Sequence, residues 1–484
     1  MLFNSFVFLF GFLPLALAGY HGLRHLGRHE SAKVFLALAS LFFYGWWDVR
    51  YVPLVIISVA ANFAIGLLLG AKGAARAPVL ALGIIFNLGL LGYYKYANFF
   101  LTNVGDITGL SLTVGAIVLP LGISFFTFQQ IAYLVETARD GRCERNFINY
   151  SLFVIFFPHL IAGPITHPRE MLPQFDLAGA RPIDAGLLQV GMALLIIGLA
   201  KKVVLADTLA LLANPVFASA DAAATVSSAQ AWMGALAYTF QLYFDFSGYS
   251  DMAIGLGLLF GINLPVNFAS PYKSMSIVEF WRRWHITLSR FLRNYIYIPL
   301  GGNRKGHARR YVNLMITMGL GGLWHGAGWT FLVWGLLHGG YLVVNNLWFR
   351  FGRPLPTPLA WGATFLATVV GWVLFRAATF SGAVTILTAM FVPAAPAAAT
   401  AITAPPAVDW LTLAAVAALS LFSPNSIELV GYAHSMPNDP SDRVPLNPVR
   451  RRPSSAVVAI ALGVVAALVF AKLPDPGIFL YFNF

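Results

Sequence analysis

Long apolar stretches recur along this chain from its first residues to its last. A helix needs about 20 mostly apolar residues to cross the roughly 30 Å hydrocarbon core of a bilayer. Thirteen stretches come close to this requirement, at 2–20, 32–48, 51–71, 77–94, 114–135, 147–165, 184–205, 230–262, 311–323, 328–349, 359–377, 408–422 and 456–472. Several are short or interrupted by glycine or proline, which favours re-entrant segments covered by protein. The pattern predicts an all-α, polytopic membrane helical bundle of about ten to thirteen membrane helices, some re-entrant.

The scarcity of charge supports an integral membrane protein. Only 10% of the 484 residues are charged, whereas a typical soluble domain has about 25%. Because a polytopic bundle is one cooperative unit, we expect a single domain over residues 1–484, with a polar loop at 423–455. The net charge of +12 is spread over many loops, which favours contact with anionic lipid over nucleic-acid binding. The single cysteine, Cys143, excludes an internal disulfide and a cysteine-based zinc site.

Two histidines stand out in this apolar chain. His285 lies in Trp-Arg-Arg-Trp-His-Ile-Thr-Leu (281–288), and His325 lies in Gly-Gly-Leu-Trp-His-Gly-Ala-Gly-Trp (321–329). An ionisable side chain at membrane depth is costly and usually marks a functional site. Histidine also transfers protons readily near neutral pH. The two positions therefore predict an enzyme that acts within the membrane.

The segment around His285 has the spacing of an amphipathic helix over 275–298. At 100° per residue, Trp281, Leu288 and Leu292 share one face, and His285 lies at the edge of that face. From Arg282 to Arg310 there are eight Lys or Arg and no Asp or Glu. This basic rim predicts either contact with lipid headgroups at the cytoplasmic interface or attraction of an acidic donor.

Glycines surround His325, and Trp324 and Trp329 flank it. Gly322 and Gly326 have the four-residue spacing that lets membrane helices approach closely. The segment predicts either a narrow passage walled by aromatic rings or a histidine hydrogen-bonded in a tight helix crossing.

Three other histidines have weaker signals. On a continuous helix His338 would face about 220° away from His325, so we expect it to be structural. His159 and His167 flank an expected helix break at 161–165 and could line the mouth of a cavity.

Asp245 and Asp251 are the other buried charges to explain. Because they are six residues apart, they lie about 240° around a helix. They therefore form no carboxylate pair unless Gly248 breaks that helix. We expect them to orient a histidine or to hold an arginine such as Arg282; a proton relay is the alternative. Walker, nucleophile-elbow and His-Glu-x-x-His motifs are all missing from the sequence.

Four ordered motifs together resemble the membrane-bound O-acyltransferase family, in its bacterial branch that O-acetylates alginate and related exopolysaccharides. The motifs are Tyr-Phe-Asp-Phe-Ser-Gly-Tyr-Ser-Asp (243–251), Glu-Phe-Trp-Arg-Arg-Trp-His-Ile-Thr-Leu (279–288), Pro-Leu-Gly-Gly-Asn-Arg (299–304) and Gly-Leu-Trp-His-Gly (322–326). The resemblance extends over nearly the whole chain. Asn294, where many relatives have aspartate, and His159 depart from the family pattern.

The resemblance implies a catalytic core at about 120–345 around a central tunnel, in a multi-pass protein of the bacterial inner membrane. His325 matches the catalytic histidine of the family and His285 its second histidine. We add five residues as a substrate-binding set: Trp281, Arg282, Trp324, Asp245 and Asp251. No bound cofactor or metal is expected.

The implied reaction is acyl transfer. A thioester on the cytoplasmic side, for which we expect acetyl-CoA, would supply an acetyl group for an exported polysaccharide such as alginate, through periplasmic partner proteins. His325 would be the general base, while His285, a hydroxyl or a tryptophan nitrogen would orient the reactants or stabilise the oxyanion. A transient acyl-histidine is an alternative mechanism. D-alanyl or other acyl transfer to a cell-envelope polymer and proton-coupled transport are the alternative functions.

Overall fold

The computed structural model describes residues 1–71, 73, 75–115, 117–180, 184–392, 405–432, 455–473, 477 and 479–480. All regular secondary structure in these residues is helical, which confirms the prediction of an all-α fold. Most of the polar loop predicted at 423–455 lies outside the described residues.

Contacts divide the chain into two compact units. Unit 1 comprises Met1–Ile197, Tyr249–Val266 and Tyr432, and unit 2 comprises Gly198–Gly248, Asn267–Gly431 and the described residues after 454. The single domain expected over residues 1–484 stays a prediction.

The helices that begin in unit 1 are, in chain order, α1 (Leu13–His25), α2 (His29–Gly45), α3 (Val52–Gly70), α4 (Arg76–Leu91), α5 (Ala97–Thr108), α6 (Ile123–Asp140), α7 (Phe147–Ile155), α8 (Phe157–Leu160), α9 (Pro168–Ala180) and α10 (Ala185–Ala200). The helices that begin in unit 2 are α11 (Asp207–Asp221), α12 (Ser228–Leu259), α13 (Ile277–Arg283), α14 (Ile286–Leu292), α15 (Gly306–His325), α16 (Trp329–Phe351), α17 (Thr357–Arg376), α18 (Phe380–Phe391), α19 (Ala407–Phe422), α20 (Ser426–Val430) and α21 (Ser455–Lys472).

Five helical runs among the described residues are long and apolar enough to cross a bilayer. They are Val7–His25, Val49–Gly70, Arg76–Thr108, Ala185–Asp221 and Thr357–Arg376. Shorter apolar helices occur at Phe380–Phe391, Ala407–Phe422 and Ala459–Lys472. The chain is therefore a multi-pass membrane protein. The larger number of ten to thirteen membrane helices stays a prediction.

Several predicted spans have different bounds in the structure, for local reasons. The span expected at 114–135 begins only at Ile123, because Gly122 has a left-handed φ of 73° that no helix continues through. The span at 147–165 is interrupted at Phe156, whose ψ of 113° separates α7 from α8. The spans at 77–94 and 184–205 are too short, since π-helical turns join them to the following helices.

Capping side chains mark the starts of three other helices, α13, α18 and α20. The Ser276 hydroxyl accepts the Glu279 backbone N–H at the start of α13. The Thr379 hydroxyl does the same for Gly382 at the start of α18, a helix missing from the sequence-based prediction. Asn425 and Glu428 form a reciprocal capping box on α20. Each cap satisfies a backbone donor that the first helical turn leaves unpaired.

Candidate active site

His285 occupies a break between two short helices of unit 2. Its φ of 43° and ψ of 53° are left-handed, so the continuous amphipathic helix predicted over 275–298 is wrong. The backbone instead bonds to a distant segment: the Ala269 N–H donates to the Arg283 carbonyl, and the Ile286 N–H donates to the Asn267 carbonyl, each at 3.0 Å. These long-range bonds offset the cost of a left-handed non-glycine residue.

Asn267 also fixes the tautomer of His285. Its Oδ1 accepts the Thr287 backbone N–H at 3.2 Å and the Thr287 hydroxyl at 3.0 Å. His285 Nδ1 lies 3.2 Å from the same oxygen. Because an amide oxygen only accepts, Nδ1 must carry the hydrogen, and Nε2 therefore holds the lone pair. A nitrogen with a lone pair can accept a proton or a hydrogen bond from a hydroxyl group.

His325 is the last residue of α15, where the extended Gly326 ends the helix. Its ring centroid lies 6.2 Å from that of His285, 5.2 Å from that of Trp334 and 5.2 Å from that of Phe375. His285 is 0% exposed and His325 is 4% exposed. The structure thus places the two predicted histidines in one buried aromatic environment.

A close crossing of α15 and α16 positions His325. A Cβ on Gly322 would lie 2.2 Å from the Phe331 carbonyl oxygen, and one on Gly335 would lie 2.3 Å from the Met318 carbonyl oxygen. The prediction that Gly322 and Gly326 together allow a close helix approach therefore holds for Gly322 but is wrong for Gly326. Gly326 lies beyond the helix, where a Cβ would be 2.1 Å from the ring of Phe331. Only glycines allow the two backbones this separation.

The three predicted residues around the histidines have different environments. Trp324 is buried, with its ring 5.9 Å from His285 and 5.0 Å from His325. Trp281 is buried against Trp334. Arg282 is exposed, as expected for a residue of a basic rim. Their role in substrate binding stays a prediction.

Trp329, which flanks His325 in the sequence, is 51% exposed. The buried aromatic wall instead includes Phe375 of α17, whose ring contacts that of His325. The expectation that Trp329 forms this wall is wrong, because Gly326 turns the chain away before α16 begins.

Asp245 is buried and forms an ion pair with Lys202 at 2.8 Å. It also accepts the Leu480 backbone N–H at 3.0 Å, and Lys202 binds Asp207 at 2.7 Å. The expectation that Asp245 pairs with a histidine or with Arg282 is wrong. Its partner is Lys202, which lies in the π-helical turn after α10. This arrangement neutralises a carboxylate that would otherwise be buried alone.

Asp251 belongs to unit 1 and is buried. Gly248 does not break α12, so the six-residue separation places Asp245 and Asp251 on different faces of one helix, as predicted.

His338 lies next to the candidate site, which corrects the expectation that it faces elsewhere. Residues 326–328 interrupt the helix, so the predicted angle of about 220° does not apply. Its ring centroid is 5.0 Å from that of Trp334 and 5.2 Å from that of Trp281. Trp334 contacts both His338 and His325 and so connects them.

His159 and His167 have partners within unit 1. His167 Nδ1 lies 3.1 Å from Glu136 Oε1, and His159 Nε2 lies 3.0 Å from the Phe153 carbonyl oxygen. Both side chains are buried. The described residues include no group of three or more His, Cys, Asp or Glu placed to hold a metal ion.

Sequence reasoning missed three residues around the histidines, Asn267, Trp334 and Phe375, and expected the fourth, His338, to face elsewhere. The four-residue spacing of Trp334 and His338 was a usable signal, since it places both on one helix face. Asn267 and Phe375 have no such signal, because only the tertiary structure brings them near His285 and His325.

The sequence model of the membrane-bound O-acyltransferase family matches residues 123–382, which include His285 and His325. The chain belongs to this family and is an O-acyltransferase.

Among curated proteins, the chain is 45% identical to the peptidoglycan O-acetyltransferase of Helicobacter pylori, over 81% of this chain and 80% of that protein. It is also 45% identical to the probable alginate O-acetylase AlgI of Pseudomonas putida, with the same coverage of each chain. The teichoic acid D-alanyltransferase of Lacticaseibacillus rhamnosus is 27% identical, over 72% of this chain and 87% of that protein.

Proposed function

We propose that this protein takes an acetyl group from a cytoplasmic thioester, acetyl-CoA, and passes it across the bacterial inner membrane for O-acetylation of an exported polysaccharide. The observation that carries the proposal is the buried pair of His285 and His325, with ring centroids 6.2 Å apart. Identities of 45% to a peptidoglycan O-acetyltransferase and a probable alginate O-acetylase support the acetyl group and the polymer acceptor.

The chemical step uses His325 as the general base. It takes the proton of the acceptor hydroxyl as the oxygen attacks the thioester carbonyl carbon. When the C–S bond breaks, the same imidazole returns the proton to the leaving thiolate. General acid–base catalysis of this kind contributes about 10²–10⁴-fold. Burial of both histidines supports the proposal, because exclusion of water suppresses thioester hydrolysis.

His285 orients the acceptor. Asn267 holds the hydrogen on Nδ1 of His285, so Nε2 can accept a hydrogen bond from a hydroxyl group. Trp324, whose ring contacts both histidines, sets the spacing between them. Trp281, Arg282, Asp245 and Asp251 complete the proposed substrate-binding set.

The donor and the acceptor reach the site from opposite faces of the membrane, through a central tunnel. The eight basic residues from Arg282 to Arg310 support a cytoplasmic entrance, because they would attract the phosphates of coenzyme A. The acetyl group then passes to a periplasmic partner protein or directly to the polysaccharide.

D-alanyl transfer is the second candidate, because relatives at 27–30% identity are named teichoic acid D-alanyltransferases. The higher identity to O-acetylating relatives favours acetyl. Proton-coupled transport is disfavoured by the family membership.

The test uses the full chain purified in detergent, with radiolabelled acetyl-CoA and either alginate or peptidoglycan as the acceptor. We expect label to reach a polymer, and His325→Ala to abolish this transfer while the protein remains monodisperse. His307→Ala, at an exposed histidine, is the matched control and should retain full activity.

Transfer has to be measured in cells as well, because a periplasmic partner could be required. A deletion strain that expresses His325→Ala should lack polymer acetyl groups, whereas the His307→Ala strain should have them. Normal acetylation by the His325→Ala strain would contradict the proposed base. Incorporation of D-alanine in place of acetate would establish the second candidate.

A further inference from the structure

Four buried nitrogens beside His325 have no hydrogen-bond partner in the described part of the chain. They are Nε1 of Trp281, Nε1 of Trp334 and both ring nitrogens of His338. His338 is 0% exposed, Trp334 1% and Trp281 8%. A buried polar group without a hydrogen bond destabilises a fold, so a group of them beside one histidine requires an explanation.

The three side chains form one cluster, which we call the indole–imidazole cluster: Trp281, Trp334 and His338. The ring centroids of Trp281 and Trp334 lie 5.2 and 5.0 Å from that of His338, and 5.9 Å from each other. Trp334 is also in contact with His325, at 5.2 Å. The cluster therefore adjoins the proposed general base.

Trp232 and Trp361, two half-buried tryptophans of unit 2, have indole nitrogens that are hydrogen-bonded to the backbone. Nε1 of Trp232 donates to the Met390 carbonyl, and Nε1 of Trp361 donates to the Tyr272 carbonyl, each at 2.9 Å. For Nε1 of Trp281 and of Trp334, the described residues offer no such acceptor. A phenylalanine would keep an aromatic ring at either position without the cost of a buried N–H group.

His338 is held in a fixed position by the neighbouring helix. A Cβ on Gly371 of α17 would lie 2.6 Å from His338 Nε2, so any larger residue there would displace the ring. A neutral imidazole has one N–H donor, as each indole does. The cluster therefore offers three N–H donors on rings that contact one another.

We propose that the indole–imidazole cluster is the oxyanion site of the transferase, and that it binds the carbonyl oxygen of the acyl thioester. This inference rests on the proposed function. As the acceptor oxygen forms its bond to the carbonyl carbon, its proton moves to His325 and the carbonyl oxygen becomes an oxyanion. The oxyanion accepts N–H hydrogen bonds from the cluster until the C–S bond breaks. His325 then protonates the thiolate, so every proton and electron pair is accounted for.

Phenylalanine substitutions test this role because they remove the N–H group and keep an aromatic ring. Trp334→Phe, Trp281→Phe and His338→Phe are compared for transfer of label from acetyl-CoA by the full chain in detergent. We expect kcat to fall by about 100-fold or more for at least one variant, as for other oxyanion donors. kcat should fall by a larger factor than KM for acetyl-CoA rises, because the hydrogen bonds strengthen in the transition state.

The matched controls are Trp232→Phe and Trp361→Phe, which remove indoles whose N–H groups are bonded to the backbone. Both should retain kcat. Size-exclusion profiles and thermal midpoints distinguish misfolding from lost catalysis, since a misfolded variant would lose monodispersity as well as activity.

A binding measurement separates this inference from the proposed function. Acetyl-carba(dethia)-CoA keeps the carbonyl group but has no C–S bond, whereas S-ethyl-CoA lacks the carbonyl. The wild-type chain should bind acetyl-carba(dethia)-CoA, a ketone, about tenfold more tightly than S-ethyl-CoA. The cluster variants should lose this preference for the ketone.

Three results are decisive. Loss of both kcat and the ketone preference in the cluster variants, but not in the controls, supports the oxyanion site. Wild-type kcat and preference in all three variants overturn it and leave the proposed function intact. A wild-type chain that neither transfers label nor binds either analogue overturns the proposed donor, and the inference with it.

Discussion

The ring of His285 meets that of His325 at an interplanar angle of 67°, although the two residues are 40 positions apart in the chain. One ring projects from a left-handed break between two short helices, and the other from the end of α15. Both positions depend on irregular backbone held by contacts that are distant in sequence. The site is therefore sensitive to residues that never touch a substrate.

Asn267→Ala should reduce acetyl transfer without removing either histidine. The substitution removes the oxygen that holds the hydrogen on His285 Nδ1 and that accepts two bonds from Thr287. Transfer should fall by roughly 10- to 100-fold, less than the full contribution of a general base. Asn267→Asp keeps an acceptor oxygen and should retain more activity in the same radiolabel assay. Equal activities for the alanine and aspartate variants would contradict control of the tautomer.

His285→Gly and His285→Ala separate the backbone role of this residue from its side-chain role. Because φ is 43°, a non-glycine residue has a cost here of about 1–2 kcal/mol. The glycine variant should therefore have the higher thermal midpoint in detergent. Both variants lack the imidazole and should lose transfer to the same extent. If His285→Gly kept wild-type activity, the ring would have no part in the reaction.

Gly322→Ala and Gly335→Ala should each disrupt the crossing of α15 and α16. The added methyl group would meet a backbone carbonyl at 2.2 or 2.3 Å, and backbone cannot rotate away as a side chain can. We expect a loss of stability of about 1–3 kcal/mol, seen as a lower thermal midpoint, and a displaced His325 with reduced transfer.

Gly340→Ala is the matched control for this crossing, because nothing lies within 4 Å of its Cβ position on the same helix. It should leave the thermal midpoint unchanged or raise it slightly, since alanine favours a helix. If Gly340→Ala lost as much stability as the other two variants, their effect would not be specific to the crossing of α15 and α16.

Lys202→Met should be strongly destabilising. It leaves the Asp245 carboxylate buried with the Leu480 N–H as its remaining described hydrogen-bond donor. Breaking a buried pair in this way costs about 3–5 kcal/mol. The double variant with Asp245→Leu removes both charges and should recover much of the thermal midpoint.

The pair of Asp48 and Arg50, in which the arginine side chain is 78% exposed, provides the control for this prediction. Arg50→Ala should shift the midpoint far less than Lys202→Met, because solvent screens an ion pair whose arginine is exposed. Strictly additive effects of Lys202→Met and Asp245→Leu would contradict direct coupling between the two side chains.

The amino-acid sequence by itself determined the helical class and the membrane environment, since both depend on runs of apolar residues. It also supplied the family and singled out His285 and His325 as candidates, because ordered motifs such as 279–288 and 322–326 can be recognised without a structure. The helix predicted from periodicity is wrong at His285, where backbone hydrogen bonds with Asn267 and Ala269 replace those of a regular helix.

Only the tertiary structure decided which side chains surround those histidines. His338 approaches the site because residues 326–328 turn the chain, and Asp245 pairs with Lys202 because a π-helical turn presents that lysine. Periodicity indicates which residues share one face of a helix, but it does not indicate which element packs against that face. Contacts between elements distant in sequence follow from packing and from the need to satisfy buried polar groups, which no local pattern encodes.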